Sequence, residues 1–155
     1  MARRYTVTFE GVSVSAAQDF VTIIGGSGKT CRIIRQWWGC ADTTLATGQN
    51  LSVRGRVLPV TVSAGSGGST PTPRPLDGGD AAATFTAHAN DTSKTTTNGT
   101  ARIVEENGSH LYAGYALSFP APPIVEATSA YVFELLSTVS GTITISGGVE
   151  VEEIG

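Results

Sequence analysis

The sequence predicts an all-β protein, a single-domain jelly-roll-like β-sandwich that spans residues 1–155. Valine, isoleucine and threonine supply 44 of the 155 residues, and β-branched side chains are enriched in strands. Glycine occurs 19 times, which is typical of a chain with many turns between short strands. Apolar and polar residues alternate along several short runs, and no segment has the pattern of a long helix.

The first strand is predicted close to the N-terminus. Tyr5, Val7 and Phe9 alternate with polar residues, as in a strand with one buried face. After Gly11 the apolar residues change parity, and a slip of one residue would turn them to the opposite face of the sheet. We therefore expect a β-bulge or a corner at Gly11.

The next two strands are predicted at 19–25 and 31–39, joined by a glycine-rich turn. This turn contains Gly28-Lys29-Thr30, the end of a phosphate-binding loop. The full motif requires a glycine five positions before Gly28, so that backbone N–H groups wrap the phosphate. Ile23 occupies that position. The sequence therefore predicts a plain connection between strands and no nucleotide site. Four apolar residues of the 31–39 segment also have the spacing of one helix face. This segment is too short for a helix, so a strand is predicted there.

A polar crossing at 41–50 leads to a strand predicted within residues 51–62. Pro59 interrupts it or makes it an edge strand, because proline cannot donate to a central ladder. Arg54 and Arg56 lie together on its polar face. They are either exposed to solvent or bound to an acidic neighbouring subunit.

Residues 64–80 form a Gly/Pro-rich segment with the composition of a linker or a disordered loop. It contains Pro71, Pro73 and Arg74, and Leu76 is its only large apolar residue. Such a segment cannot bury a core by itself. We expect it to be an extended arm that becomes ordered by lying over a neighbouring chain.

The second half of the chain predicts further strands separated by turns. We expect a turn at Asn107–His110, a break at Pro120–Pro123, and a strand at 131–135. The segment 142–152 has the clearest alternation in the chain, with a bend or turn at Gly147-Gly148. The total of eight to ten strands is typical of a two-sheet jelly roll.

The charge pattern limits the classes of partner. The net charge is −3, which argues against nucleic acid. Residues 1–76 carry eight Lys/Arg and three Asp/Glu, whereas residues 77–155 carry two and ten. The molecule has two faces of opposite sign unless the halves interleave in space. We expect no secretory signal, because the N-terminus lacks an apolar region, and no membrane span.

No pattern of catalytic residues is predicted. His88 and His110 lie in polar, turn-like surroundings without a third ligand at metal-binding spacing. Asp77 and Asp80 in "DGGD" are expected to form a turn rather than a calcium site. Glu105-Glu106 are neighbours on a strand and point to opposite faces, so they do not form a two-carboxylate site. We therefore expect no enzyme, no metal and no cofactor.

Two pairs of residues have alternative interpretations. Cys31 and Cys40 could form one bridge, but two free thiols are favoured in a reducing cell. Trp37 and Trp38 could stack a sugar ring or a base. Such a pair more often divides, with one ring in the core and the other at a contact surface.

Three stretches resemble small proteins encoded in the structural gene blocks of tailed bacteriophages and prophages. They are "YTVTFEGVSVSAAQDFVTIIG", "GSGGSTPTPRPLDGGDAAATFTAHANDTS" and the final "EEIG". The segment from Trp37 to Asn50 departs from that group, which has an acidic loop there. The resemblance implies a virion protein, a capsid cement (decoration) protein on the outside of the phage head.

This resemblance implies partners and contact residues as well. A cement protein binds the major capsid protein, and a homotrimer matches the local three-fold positions of an icosahedral lattice. Arg54, Arg56 and Arg74 would pair with carboxylates of the major capsid protein. The candidate subunit or capsid contacts are Trp37, Trp38, Arg54, Arg56, Pro71, Pro73, Arg74 and Leu76.

Two other functions remain open at this point. The protein could belong to the phage tail or adsorption apparatus, where Trp37, Trp38 or Tyr112 would bind a host-surface glycan. It could instead be a soluble carbohydrate-binding β-sandwich without a virion role.

Overall fold

The computed structural model describes residues 2–42 and 48–155, and these residues form strands, turns and bends without a helix. The all-β prediction is confirmed. The predicted polar crossing at 41–50 lies largely outside the described residues. The strands in chain order are β1 (Arg3–Val14), β2 (Asp19–Ile24), β3 (Thr30–Cys40), β4 (Asn50–Leu58), β5 (Val62–Ser63), β6 (Arg74–Pro75), β7 (Thr86–Asp91), β8 (Thr96–Thr97), β9 (Arg102–His110), β10 (Tyr115–Ser118), β11 (Ile124–Val125), β12 (Ala130–Leu135) and β13 (Ile143–Ile154).

Two antiparallel sheets form the sandwich. The first sheet has the order β10-β3-β13-β1-β6, with β11 also paired to β3, and the second has the order β7-β2-β12-β4-β9. A short third ladder joins β5 to β8. When β1, β2, β3, β4, β9, β10, β12 and β13 are counted from one to eight, the sheets have the orders 1-8-3-6 and 2-7-4-5. This is the strand order of a jelly roll, which consists of two Greek keys.

The core lies between the two sheets and is rich in aromatic rings. Tyr5, Phe20, Tyr131 and Phe133 are fully buried. Phe20 meets Phe133 edge to face, with the ring centroids 5.6 Å apart. Burial of such large apolar surfaces supplies most of the driving force for folding.

The segment between β4 and β9 is a long insertion that folds back on the sandwich. Its strands β6 and β7 extend the two sheets beyond β1 and β2. A small second core of Leu58, Ala130 and Val132, with Val62 of the insertion packed against it, lies outside the main core. The insertion therefore covers the outer face of the second sheet.

The arm at 64–80 is ordered by pairing with strands of its own chain, which the sequence analysis did not expect. The amide of Leu76 donates to the carbonyl of Arg4 at 2.9 Å, and Ser69 exchanges two backbone hydrogen bonds of 2.8 Å with Ala89. The composition of the arm showed only that it lacks apolar side chains. Backbone hydrogen bonds to the edge strands β1 and β7 do not require them.

Several local predictions are confirmed. The register between β1 and β13 shifts between Phe9 and Val12, and Gly11 has φ +59°, as expected of a bulge. The turn before β3 contains Gly28 at φ +77°, which glycine adopts without strain. β4 ends before Pro59, as the proline predicted.

Other local predictions are wrong. Asn107–His110 are part of β9 rather than a turn, and the turn follows at 111–113. His88 lies in strand β7 rather than in turn-like surroundings. β13 runs without a turn through Gly147-Gly148. These glycines are required by close packing, because a Cβ on Gly147 would lie 2.4 Å from the carbonyl oxygen of Trp37.

Candidate functional site

The two tryptophans of β3 point to opposite sides of the first sheet. Trp38 is buried in the core at 2% exposure. Trp37 is half-buried on the outer face, where the guanidinium carbon of Arg35 lies 4.7 Å from the ring centroid. The predicted division of the pair between core and surface is confirmed, and Arg35 is a neighbour that the sequence analysis did not single out.

Trp37 forms one wall of a depression of about 680 Å³ on the outer face of the first sheet. Tyr112 contributes a further ring, and Glu10 and Arg35 contribute charge. A Cβ on Gly148 would lie 3.0 Å from the Cζ2 atom of Trp37. The indole is therefore packed against backbone at its Cζ2 edge and has Arg35 stacked over its ring.

The outer face around this depression is open to solvent. Arg4, Thr8, Glu10 and Arg32 of this face are exposed. The two faces of the sandwich therefore differ: the insertion covers one, and the other is a solvated sheet surface.

Arg54 and Arg56 do not await an acidic neighbour. Both reach the carboxylate of Glu134, at 2.7 Å and 2.8 Å, and the ammonium of Lys94 lies 2.6 Å from the same carboxylate. Glu134 is fully buried. An acidic partner for both arginines therefore exists within the chain, and the sequence analysis missed it because Glu134 of β12 lies beside them in the sheet but 80 residues from Arg54 in sequence.

The buried charge cluster continues towards β7. Asp19 accepts a hydrogen bond of 2.7 Å from the amide of Thr95, and Asp91 accepts one of 3.2 Å from the amide of Gly68. Burial raises the pKa of the Asp19 carboxyl, against the hydrogen bonds from Thr95. Gly68, Lys94 and Thr95 all belong to the insertion, so the cluster fastens the insertion to the second sheet.

A second polar network crosses the core and was not expected from the sequence. The side chain of Gln36 accepts from the hydroxyl of Tyr131 and donates to the carboxylate of Glu105. The hydroxyl of Tyr115 donates to the same carboxylate at 2.7 Å. Burial raises the pKa of the Glu105 carboxyl above its usual value. The only available signal was a glutamine on the inward side of β3, on the same side as Trp38.

These networks have a structural explanation, because one fastens the insertion to the second sheet and the other crosses the core. Most of their buried polar groups are hydrogen-bonded or ion-paired to one another, as stable interiors require, whereas the Oδ1 atom of Asp19 has no hydrogen-bond partner among the described residues. Among residues 2–42 and 48–155, no group of three His, Cys, Asp or Glu side chains is placed to hold a metal ion. His88 lies with its Nδ1 atom 3.4 Å from the Oδ2 atom of Asp91, and His110 is exposed at the end of β9.

The remaining candidate residues lie in the arm. Pro71 and Pro73 are half-buried, Arg74 is exposed, and the side chain of Leu76 is 56% exposed. The predicted turn at 77–80 is present, because the amide of Asp80 donates to the carbonyl of Asp77 at 3.0 Å.

Both cysteines are free thiols, as the sequence analysis favoured. Cys31 and Cys40 stand nine residues apart on β3. This separation places them about 30 Å from each other, far beyond the reach of a disulfide.

Within the described part of the chain, no helix has the length and hydrophobicity needed to cross a bilayer.

No family model matches the chain, and no curated protein matches it. One solved structure, titled "Structure of infectious bursal disease virus Gx strain", aligns with 14% sequence identity and a TM-score of 0.15. The alignment covers 99% of this chain and 42% of that chain, so this chain spans less than half of its length. A likeness at this TM-score carries no argument about function.

Proposed function

We propose that this chain is a virion structural protein, a capsid cement protein that binds the major capsid protein on the outer surface of a phage head as a homotrimer. The observation that carries the proposal is the difference between the two outer faces of the sandwich. The insertion covers part of the outer face of the second sheet, whereas the first sheet offers an open face with the Arg35–Trp37 stack on it.

This face has the properties of a docking surface. Tryptophan and arginine are the residue types that most often dominate binding energy at protein interfaces. The stack of Arg35 on Trp37 also holds both side chains in place before binding, which reduces the entropy lost on docking. Trp37 and Arg35 are therefore the proposed centre of the capsid contact, in place of Arg54 and Arg56.

The rest of the molecule suits a passive, stabilising role. The buried charge clusters fasten the insertion, and the carboxylate of Glu134 at their centre is fully buried. Repeated contacts through a trimer would add their affinities, so no single site needs to be strong.

The test uses heads assembled without this protein, to which purified protein is added. We expect the unaltered protein to bind in copies comparable with the capsid subunits and to raise the temperature at which the heads release DNA. Trp37→Ala should bind about 30-fold more weakly, the equivalent of a hot spot of 2 kcal/mol. Asn98→Ala, exposed in the insertion, is the matched control and should bind normally. Heads that neither bind the protein nor gain heat resistance would contradict the proposal.

A glycan-binding role in a tail or adsorption structure is the second candidate. It is favoured by the depression beside Trp37, where Tyr112 and Glu10 offer a ring and a hydrogen-bond acceptor to a sugar. It ranks second because Arg35 already lies over the ring that a sugar would stack on. Binding of the isolated protein on a glycan array, lost in Trp37→Ala, would favour it, as would a low copy number confined to the tail.

A further inference from the structure

An apolar groove of about 820 Å³ lies at the edge of the molecule where β9 and β11 end their sheets. One wall comes from residues 57–60 and 102–104, and the other from residues 121–129. Val60 and Ile124 line it with exposures of 55% and 45%. They are two of the five exposed large apolar side chains among the described residues.

The backbone of this groove is strained. Val60 has φ +53° and Thr128 has φ +66°, and both residues line the groove. β-Branched residues rarely adopt this left-handed region. Strain of this kind persists where the surrounding structure enforces it and is concentrated at binding sites.

The tip of the arm is complementary to this groove. Leu76 is another of the exposed apolar side chains, at 56%, and it stands between Arg74 and Asp77. The groove offers matching charges, because Glu126 and Arg102 both line it together with apolar residues. None of these four charged residues forms an ion pair with any residue that the structure describes.

A single molecule cannot bring the tip into its own groove. Strand β6, which leads into Leu76, forms one edge of the first sheet, and β11 lies at the other edge beyond β1, β13 and β3. Four inter-strand spacings separate them by about 19 Å. The hydrogen bond from Leu76 to Arg4 also holds the tip at its own edge.

We infer that residues 74–77 of one copy dock in the groove of a second copy of this chain. Leu76 enters the apolar floor, while Arg74 pairs with Glu126 and Asp77 pairs with Arg102. The tip and the groove are different surfaces, so the contact is head-to-tail and closes into a ring when the rotation between copies permits. The inference rests on the homotrimer of the proposed function and supplies its contact. It can be tested without any capsid.

The first experiment uses cysteine pairs in a Cys40→Ser background, which removes the partly accessible thiol. Leu76→Cys protein and Ile124→Cys protein are oxidised separately and as a mixture. We expect covalent dimers in the mixture and none in either protein alone, and a covalent closed trimer when one chain carries both changes. Dimers of Leu76→Cys alone, or no cross-link in any sample, would overturn the inference.

The second experiment measures solution mass by analytical ultracentrifugation. Glu126→Arg and Arg74→Glu should each weaken self-association about tenfold, because like charges then face each other. The double variant should recover it, and Glu10→Arg on the other surface should have no effect. Recovery of self-association in the double variant would identify the Arg74–Glu126 pair, even if the single variants lose some stability. A chain that is monomeric at all concentrations overturns the inference, and normal binding of that monomer to heads would leave the capsid role intact.

Discussion

Glu134 is the residue on which most of the buried charge depends. Its carboxylate is fully buried and is approached by Arg54, Arg56 and Lys94. These cations remain partly exposed, so each can be hydrated if the carboxylate is lost. Because Glu134 is paired with three cations, the outer face of the second sheet can carry these charges although most of it is buried.

Replacement of Glu134 by glutamine should be costly, because three cations would lose a buried partner. We expect Glu134→Gln to lower the free energy of unfolding by about 3 kcal/mol, the lower end for broken buried ion pairs. Urea denaturation followed by tryptophan fluorescence measures it. Glu10→Gln, exposed on the first sheet, should change stability by less than about 0.5 kcal/mol. Equal effects of the two changes would contradict this account of the cluster.

The two thiols should differ in reactivity. Burial raises the pKa of the Cys31 thiol to about 12, and that residue has no exposed surface. Only the thiolate reacts readily. A thiol-specific colorimetric reagent should therefore modify Cys40 slowly in the native protein and Cys31 only after unfolding. If both thiols reacted in the folded protein, the part of β3 around Cys31 would have to open to solvent.

At the scale of elements, the arm at 64–80 shows how a segment with almost no large apolar side chains becomes ordered. Its backbone pairs with β1 and β7, and Gly68 passes so close to β7 that no side chain fits. A Cβ at this position would lie 2.1 Å from the carbonyl oxygen of Ala89. Gly78 differs, because a Cβ there would meet nothing within 4 Å.

The same substitution should therefore act differently at these two glycines. Gly68→Ala should detach the arm from β7 at a local cost of about 1–3 kcal/mol, because the clash is with backbone. Amide hydrogen exchange is the measurement, and the amide of Ser69, which donates to Ala89, should exchange faster. Gly78→Ala should leave that amide unchanged. Slow exchange at Ser69 in both variants would mean that the arm is held by other contacts.

At the scale of the whole molecule, the two halves of the chain interleave. Arg4 pairs with Glu150 and Glu152, and Lys29 pairs with Glu153, so basic residues of the first half meet acidic residues of the second. The uneven charge along the sequence is thus partly neutralised within the fold. The jelly-roll order is the cause, because it places β13 between β1 and β3.

Glu153 of β13 contacts Thr84 of the insertion and Lys29 of the turn before β3. It should therefore contribute to the loss of stability in acid. Burial alone would raise the pKa of its carboxyl, but hydrogen bonds from Thr84 and Lys29 outweigh it and hold that pKa below the ordinary value of 4.5. The contribution of Glu153 to stability is therefore complete above pH 4.5 and is lost as the pH falls through the lowered pKa.

We expect Glu153→Gln to lower stability at neutral pH and to flatten the loss of stability below pH 4.5. Thermal unfolding measured across that range compares the two proteins. Glu106→Gln, exposed on β9, should retain the full acid dependence. If the unfolding temperatures of Glu153→Gln and the unaltered protein changed in parallel with pH, Glu153 would not be a source of the acid sensitivity.

Local pattern was enough for the strands that alternate. The alternation around Tyr5 and at 143–151, the bulge at Gly11 and the stop at Pro59 each depend on neighbouring residues alone. The Asn107–His110 turn was missed because turn-forming residues also occur in an edge strand that is exposed to water. The arm was misjudged because its partners are backbone groups of β1 and β7, which leave no trace in composition.

The sequence by itself determined that this protein is an all-β sandwich, because β-propensity and alternation are local properties, and it favoured free thiols and a divided tryptophan pair without deciding either. The tertiary structure alone decided which charges are paired, that the arm lies on its own sheets, and that Leu76 and the apolar groove stand at opposite edges. These features depend on residues far apart in sequence, whose proximity is fixed only when the two sheets close on one core.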